Sequence, residues 1–212
     1  MAQLGFYHNT DICIGCKACV VACKDKNNLP LGEKMRRVYD QANCTWEIDE
    51  LGACAPKDAF AYSVSIACNH CDKPLCLEAC PVGAIKKRES DGIVYRDEAA
   101  CIGCGSCASS CPYGAPYVSA ESGTSRKCDF CMDLVDAGQD PYCVAACPMR
   151  CLEWGDIEEL RAKHGDLAYV APITSDTSTG PNVVFTPSRL NPDGAIEGVT
   201  LNPDHEVISQ TV

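Results

Sequence analysis

Sixteen of the chain's 19 cysteines fall into four runs whose spacing suits iron–sulfur ligation. They read Cys13-x2-Cys16-x2-Cys19-x3-Cys23, Cys68-x2-Cys71-x4-Cys76-x3-Cys80, Cys101-x2-Cys104-x2-Cys107-x3-Cys111 and Cys128-x2-Cys131-x11-Cys143-x3-Cys147. Pro81, Pro112 and Pro148 follow the last cysteine of runs two to four. Three grouped thiolates with a displaced fourth are the ligand pattern of a cubane [4Fe–4S] centre. Four runs therefore predict four clusters, and four clusters in one small chain predict a conduit for electrons.

The first three cysteines of a run lie in a tight loop and wrap one cube. The fourth sits on the helix leaving that loop and points away, and in two-cluster ferredoxins it serves the other cluster. Runs two and three are consecutive and so pair. Cys68, Cys71 and Cys76 join Cys111, and Cys101, Cys104 and Cys107 join Cys80. Runs one and four then pair around them, with Cys147 completing Cys13, Cys16 and Cys19, and Cys23 completing Cys128, Cys131 and Cys143. Two other chemistries use many cysteines. Disulfide scaffolds are small and secreted, and an odd cysteine count with no signal segment speaks against one. Structural zinc uses paired C-x2-C knuckles across a longer spacer, which does not explain a third cysteine in the loop.

The elements that must hold these loops are short. Each unit reads as a strand, a cysteine loop, a helix carrying the last cysteine and a return strand. Residues 60–67 (FAYSVSIA) alternate as a half-buried strand does. Pro74 opens a helix through Cys80. Ile85–Glu89 and Ile93–Arg96 flank the turn Ser90-Asp91-Gly92. Asp156 caps a helix over 157–164 that Gly165 ends. The expected fold is α+β, a duplicated ferredoxin-like architecture. Residues 1–26 and 115–165 form an outer lobe, 60–114 a nested inner lobe, and 27–59 a linker or insertion. Residues 166–212, rich in Pro, Gly, Ser and Thr, form an extended arm whose apolar Val183-Val184-Phe185 would lie on a partner.

Composition narrows the function. Aromatic residues make up 7% of the chain, few for building an apolar core, so metal–thiolate bonds are expected to constrain the fold in place of packing. The formal net charge is −11, which argues against nucleic acid and against anionic lipid as partners. No apolar run approaches a bilayer span, and the N-terminal residues MAQLGFYHNTDICIGC lack a basic region followed by an apolar stretch. Arg36-Arg37 is internal and reads as a solvated basic turn or a partner contact.

Beyond the cysteines, several stretches resemble the four-cluster iron–sulfur electron-transfer subunits of the dimethyl sulfoxide reductase family of molybdopterin oxidoreductases. They are Gly5-Phe6, Arg36-Arg37-Val38-Tyr39, Phe60-Ala61-Tyr62, Cys68-Asn69-His70-Cys71, Cys111-Pro112-Tyr113-Gly114-Ala115-Pro116 and Lys163-His164-Gly165-Asp166-Leu167-Ala168 with Val170-Ala171-Pro172. The resemblance covers nearly all of residues 4–172. It implies a non-catalytic subunit that binds no substrate and relays electrons between a quinol-oxidising integral-membrane subunit and a large molybdopterin catalytic subunit. By that analogy the Cys13 cluster faces the catalytic subunit, and the Cys23 cluster lies at the opposite, membrane-facing end. The resemblance also implies a peripheral complex on the outer face of the cytoplasmic membrane, reached by co-export with the catalytic subunit; the alternative is a cytoplasmic complex. Relatives of the nitrate reductase type carry tryptophan and a [3Fe–4S] centre where this chain has Cys104, so four cubanes are expected. A different class of reading, a free polyferredoxin carrier, is served by the same cysteines.

Three cysteines remain. Cys151 reads as a small core residue, and Cys44 and Cys54 as free thiols, with a disulfide between them the alternative. His70 reads as a hydrogen-bond donor near a cluster or a partner contact. His8, His164 and His205 have no ligand spacing and read as structural or exposed. Lys17, Lys24, Lys26, Arg126 and Lys127 flank the runs, either raising cluster potentials or solubilising the surface. Gly103-x-Gly105 reads as a turn requirement. No Ser/His/Asp set, phosphate loop or dinucleotide fingerprint is present.

Overall fold

The structure, a computed structural model, describes residues 2–192 and 199–201. One of its two three-stranded sheets joins the N-terminal strand to the later part of the chain. Strand β1 (Leu4–Asn9) lies between β8 (Leu152–Asp156), which is antiparallel to it, and β9 (Val183–Thr186), which is parallel. Helix α6 (Ile157–His164) covers this sheet, with Ile157 and Leu160 packed on Tyr7 and Val184. Asp156 caps α6 by accepting hydrogen bonds from the backbone N–H groups of Glu158 (2.9 Å) and Glu159 (3.4 Å). Gly165 ends it at φ +89°, so helix bounds and caps agree with the sequence reading.

Residues 27–59, expected as a linker or insertion, contain most of a long antiparallel hairpin. Strand β2 (Arg37–Ile48) pairs with β3 (Cys54–Ile66), and a bulge interrupts the ladder between Asn43 and Thr45. The expected strand 60–67 is the inner half of β3. The backbone of β10 (Val199–Leu201) adds to the outer edge of β2. Two small hairpins complete the strands: β4 (Ile85–Lys87) with β5 (Val94–Arg96), and β6 (Tyr117–Val118) with β7 (Ser125–Arg126). Helices α1 (Ala18–Lys26), α2 (Leu75–Glu78), α3 (Ser106–Ser110), α4 (Met132–Asp136) and α5 (Tyr142–Ala145) are short, and each follows or carries cysteines. The architecture is therefore ferredoxin-type α+β.

The expectation of an arm on a partner is corrected for its first part. Val183, Val184 and Phe185 are buried in the chain's own sheet, Val184 and Phe185 almost completely. The reason is that β1 would otherwise present an unpaired, apolar edge. Residues 193–198 and 202–212, and with them His205, lie outside the described residues.

The core is a thin layer between the cysteine loops. Phe6 stacks on Phe130 at 4.1 Å, and His70 and Trp154 meet Phe130 edge-on at 5.1 and 6.1 Å. The Arg36 guanidinium lies over the Phe6 ring at 4.9 Å. Arg36 and Arg37 are 2% and 8% exposed, which corrects the expectation of a solvated turn. Arg36 donates to Ser65 Oγ (3.1 Å) and Arg37 to the Tyr113 carbonyl (2.6 Å).

Candidate metal centres

In all four C-x2-C loops the residue before the second cysteine is left-handed. Gly15, His70, Gly103 and Phe130 have φ of +64°, +44°, +69° and +65°. This turn bends the chain so that both thiols face one side. At Gly15 and Gly103 a side chain has no room, because a Cβ would run into Ser63 Oγ and into the Gly123 carbonyl oxygen, respectively. His70 and Phe130 accept the strained conformation with their rings buried against each other.

Four small cavities of like size result. The first is lined by Cys68, Cys71, Cys76 and Cys111. The second is lined by Cys23, Cys128, Cys131 and Cys143. Cys13, Cys16, Cys19 and Cys147, with Cys151, line the third. Cys80, Cys101, Cys104 and Cys107 line the fourth. A larger cleft, bordered by Tyr62, Tyr169 and Ile173, contains no cysteine.

The sulfurs are met by hydrogen-bond donors from elsewhere in the fold. Ser65 Oγ is 3.3 Å from Cys19 Sγ, and Ser125 Oγ is 3.1 Å from Cys107 Sγ. Thr179 Oγ1 donates to Cys71 Sγ at 3.3 Å. Backbone N–H groups of Ala84, Ser125 and Phe130 donate to Cys80, Cys101 and Cys128 at 3.2, 3.3 and 3.4 Å. Thr179 belongs to the segment expected to lie on a partner, and no sequence pattern marks it.

Burial makes these thiols hard to ionise in the metal-free chain. It pushes Cys23 and Cys76 up to about 12, and Cys71 and Cys131 up to about 11. Cys13 is pulled down by its hydrogen bond with Cys151, and Cys151 is pushed up in turn. Buried thiols aimed into one space, with hydrogen-bond donors at the sulfurs, suit a metal centre that supplies positive charge and releases protons on binding. Two interior cations add to this. Burial disfavours the Arg36 cation, and the negative charge that Cys143, Cys19, Cys128 and Cys23 carry as thiolates outweighs it. Lys127, 4% exposed, donates to the carbonyls of Val94 and Cys128. The surface alternative is thus corrected for Lys127. Lys26 conforms to it only in part, through an ion pair with Asp133 at 2.8 Å.

The cavities form a row whose order differs from the expected one. Arg36 acts on both Cys19 of the Cys13 cavity and Cys128 of the Cys23 cavity, and Cys128 in turn feels Cys68. Cys76 and Cys107, from the Cys68 and Cys80 cavities, share one buried cluster with Ile85 and Val94. All four cysteines of the Cys23 cavity are buried, whereas Cys16 and Cys104 are exposed. The Cys23 cavity is therefore interior, and the Cys13 and Cys80 cavities are the ends. Placing it at an end fails because Cys23 is carried by α1 under α5, between two other loops.

Of the remaining residues, Cys44 and Cys54 are free and exposed. Cys54 faces Ile48 and Cys44 sits in the bulge beyond Thr45. Some four ladder positions, roughly 13 Å, separate them, too far for a disulfide. His70 accepts from the Val94 N–H at Nδ1 (3.0 Å) and is 1% exposed, which excludes a partner contact for its ring in this fold. His164 stacks on Tyr7 at 3.6 Å and pairs with Glu153 at 3.1 Å. No helix among the described residues is long and apolar enough to cross a membrane.

Known proteins show the same pattern. A 4Fe-4S dicluster domain family matches residues 59–157, and a 4Fe-4S binding domain family matches residues 10–27. The chain is 47% identical over 203 residues to the probable anaerobic dimethyl sulfoxide reductase chain YnfG of Escherichia coli K12, covering 95% of this chain and 98% of the relative. It is 46% identical over 202 residues to a chain of the anaerobic dimethyl sulfoxide reductase of the same organism, covering 95% and 97%. It is 38% identical over 164 residues to the thiosulfate reductase electron transfer subunit PhsB of Salmonella typhi, covering 74% and 78%.

Proposed function

The chain belongs to the family of iron–sulfur electron-transfer subunits found in anaerobic dimethyl sulfoxide reductase and related reductases, and from that premise we propose that it relays electrons through four [4Fe–4S] clusters. It is a non-catalytic subunit of a reductase complex. The four ligand sets are Cys13, Cys16, Cys19 and Cys147; Cys23, Cys128, Cys131 and Cys143; Cys68, Cys71, Cys76 and Cys111; and Cys80, Cys101, Cys104 and Cys107. The observation carrying this reading is that four cavities of like size are each lined by four of the sixteen cysteines.

Bound clusters supply one-electron chemistry at potentials set by their surroundings. The chain's own residues do the rest. Sixteen thiols hold the metal. Ser65, Ser125 and Thr179 donate to sulfur, and Arg36 and Lys127 offset negative charge inside the row. The Cys23 site excludes water by the burial of all four of its ligands.

On this reading the paired runs form two ferredoxin-like lobes, residues 60–114 nested within 1–26 and 115–165. The Cys13 end meets a molybdopterin catalytic subunit, and the Cys80 end meets a quinol-oxidising membrane subunit. Ile14 and Ile102, each 63% exposed, stand beside these end sites and give both ends an apolar contact. The complex works on the outer face of the cytoplasmic membrane after co-export. The test is metal analysis of anaerobically purified complex. About sixteen irons and sixteen acid-labile sulfides per copy of this chain are expected, beyond those of its partners. Markedly fewer would overturn the reading.

A further inference from the structure

Cys151 is not simply core filler. It is 3% exposed, lines the cavity of Cys13, Cys16, Cys19 and Cys147, and holds its sulfur 3.4 Å from Cys147 Sγ. Facing the same place is His8, which is 1% exposed. Neither ring nitrogen of His8 has a hydrogen-bond partner among the described residues. A ring nitrogen of His8, Cys13 Sγ and Cys151 Sγ all lie within 4.8 Å of one another. A buried imidazole without partners is destabilising, and the nearby acceptor that satisfies it is the Cys13 sulfur once that sulfur is a thiolate.

The backbone fixes both groups. His8 on β1 is opposite Leu152 on β8, the residue after Cys151. The Asn9 N–H donates to the Cys151 carbonyl at 2.9 Å. His8 on β1 and Cys151, immediately before the neighbouring strand β8, are thus both fixed by one sheet, which is the rigid support such a contact requires. None of the other three cavities is lined by a fifth thiol.

We propose that the His8 ring N–H and the Cys151 S–H are hydrogen-bond donors to the sulfur shell of the Cys13 centre, His8 to Cys13 and Cys151 to the sulfurs of Cys13 and Cys147 that it faces, and that they raise this centre's potential. The proposal rests on the reading that Cys13, Cys16, Cys19 and Cys147 hold a cluster. A donor aimed at a thiolate favours the more negative, reduced state. Both groups act as positioning residues that tune the centre without ligating it. A separate ion held by His8, Cys13 and Cys151 is not available, because Cys13 would have to leave the cube.

The test is redox potentiometry followed by EPR on the anaerobically purified complex, comparing the native chain with His8→Phe, Cys151→Ala and Cys151→Ser. In His8→Phe and Cys151→Ala, one centre is expected to show at least a tenfold lower ratio of reduced to oxidised form at a fixed potential, a 59 mV shift for one electron. The other three should not move. Cys151→Ser keeps a donor and should restore most of the shift. Unchanged midpoints in both variants would overturn the proposal. So would a [3Fe–4S] signal in Cys151→Ala, which would make Cys151 a ligand. Should His8→Phe fail to assemble, the Cys151 pair decides alone. Cys16→Ala tests the underlying reading separately. Loss of the same centre's cubane signal upholds the ligand set, and four unaltered centres would remove it and the proposal together.

Discussion

Lys127 and Arg36 put two positive charges inside a row of anionic sites. A cation about 8 Å from a cluster at an effective dielectric of 20 is worth about 2 kcal/mol, or roughly 90 mV on a one-electron couple. Lys127→Met is therefore expected to lower the midpoint of a neighbouring middle centre by tens of millivolts, with four centres still present. Potentiometry of the purified complex checks this, and an unchanged midpoint would reduce Lys127 to a clamp on the Val94 and Cys128 carbonyls. Residues of this kind were hard to read in advance. The sixteen cysteines announce themselves because each loop's ligands are neighbours in sequence. Arg36 reaches Ser65 across 29 positions, and Thr179 reaches Cys71 across 108. Such contacts leave no local pattern.

At the scale of elements, α6 rests on a cap that a single substitution removes. Asp156→Ala is expected to destabilise the fold by about 1 kcal/mol, and Asp156→Asn by much less, since asparagine caps as well. Thermal unfolding of the metal-loaded complex, followed at the far-UV helix signal, measures the difference. This helix was legible because cap, apolar stripe and terminal glycine all lie within ten residues. Strand β2 was not, because its mostly solvent-exposed outer half, Asn43 to Ile48, becomes a strand only by pairing with β3. Strand β9 was not either. Val183 aligns with Phe6, and a parallel partner 177 positions away cannot be inferred from a four-residue apolar run.

For the molecule as a whole, the proposed relay requires both ends of the row to be met by partners. Ile14→Glu is expected to release the catalytic subunit while leaving the membrane subunit bound, and Ile102→Glu to do the reverse. Co-purification from detergent extracts with iron content matched to the native complex checks this; loss of both partners from either variant would contradict the assignment of ends. The strand pairing also imposes a schedule on biosynthesis. Cys13, Cys16 and Cys19 leave the ribosome first, yet Cys147 follows 128 positions later. At 5–20 residues per second that interval is roughly 6–26 s. During it three thiols and the bare edges of β1 stay open to oxygen, stray metal and aggregation, so the first site to be synthesised is among the last to be sealed, and any carrier that delivers its iron must work on a nearly finished polypeptide.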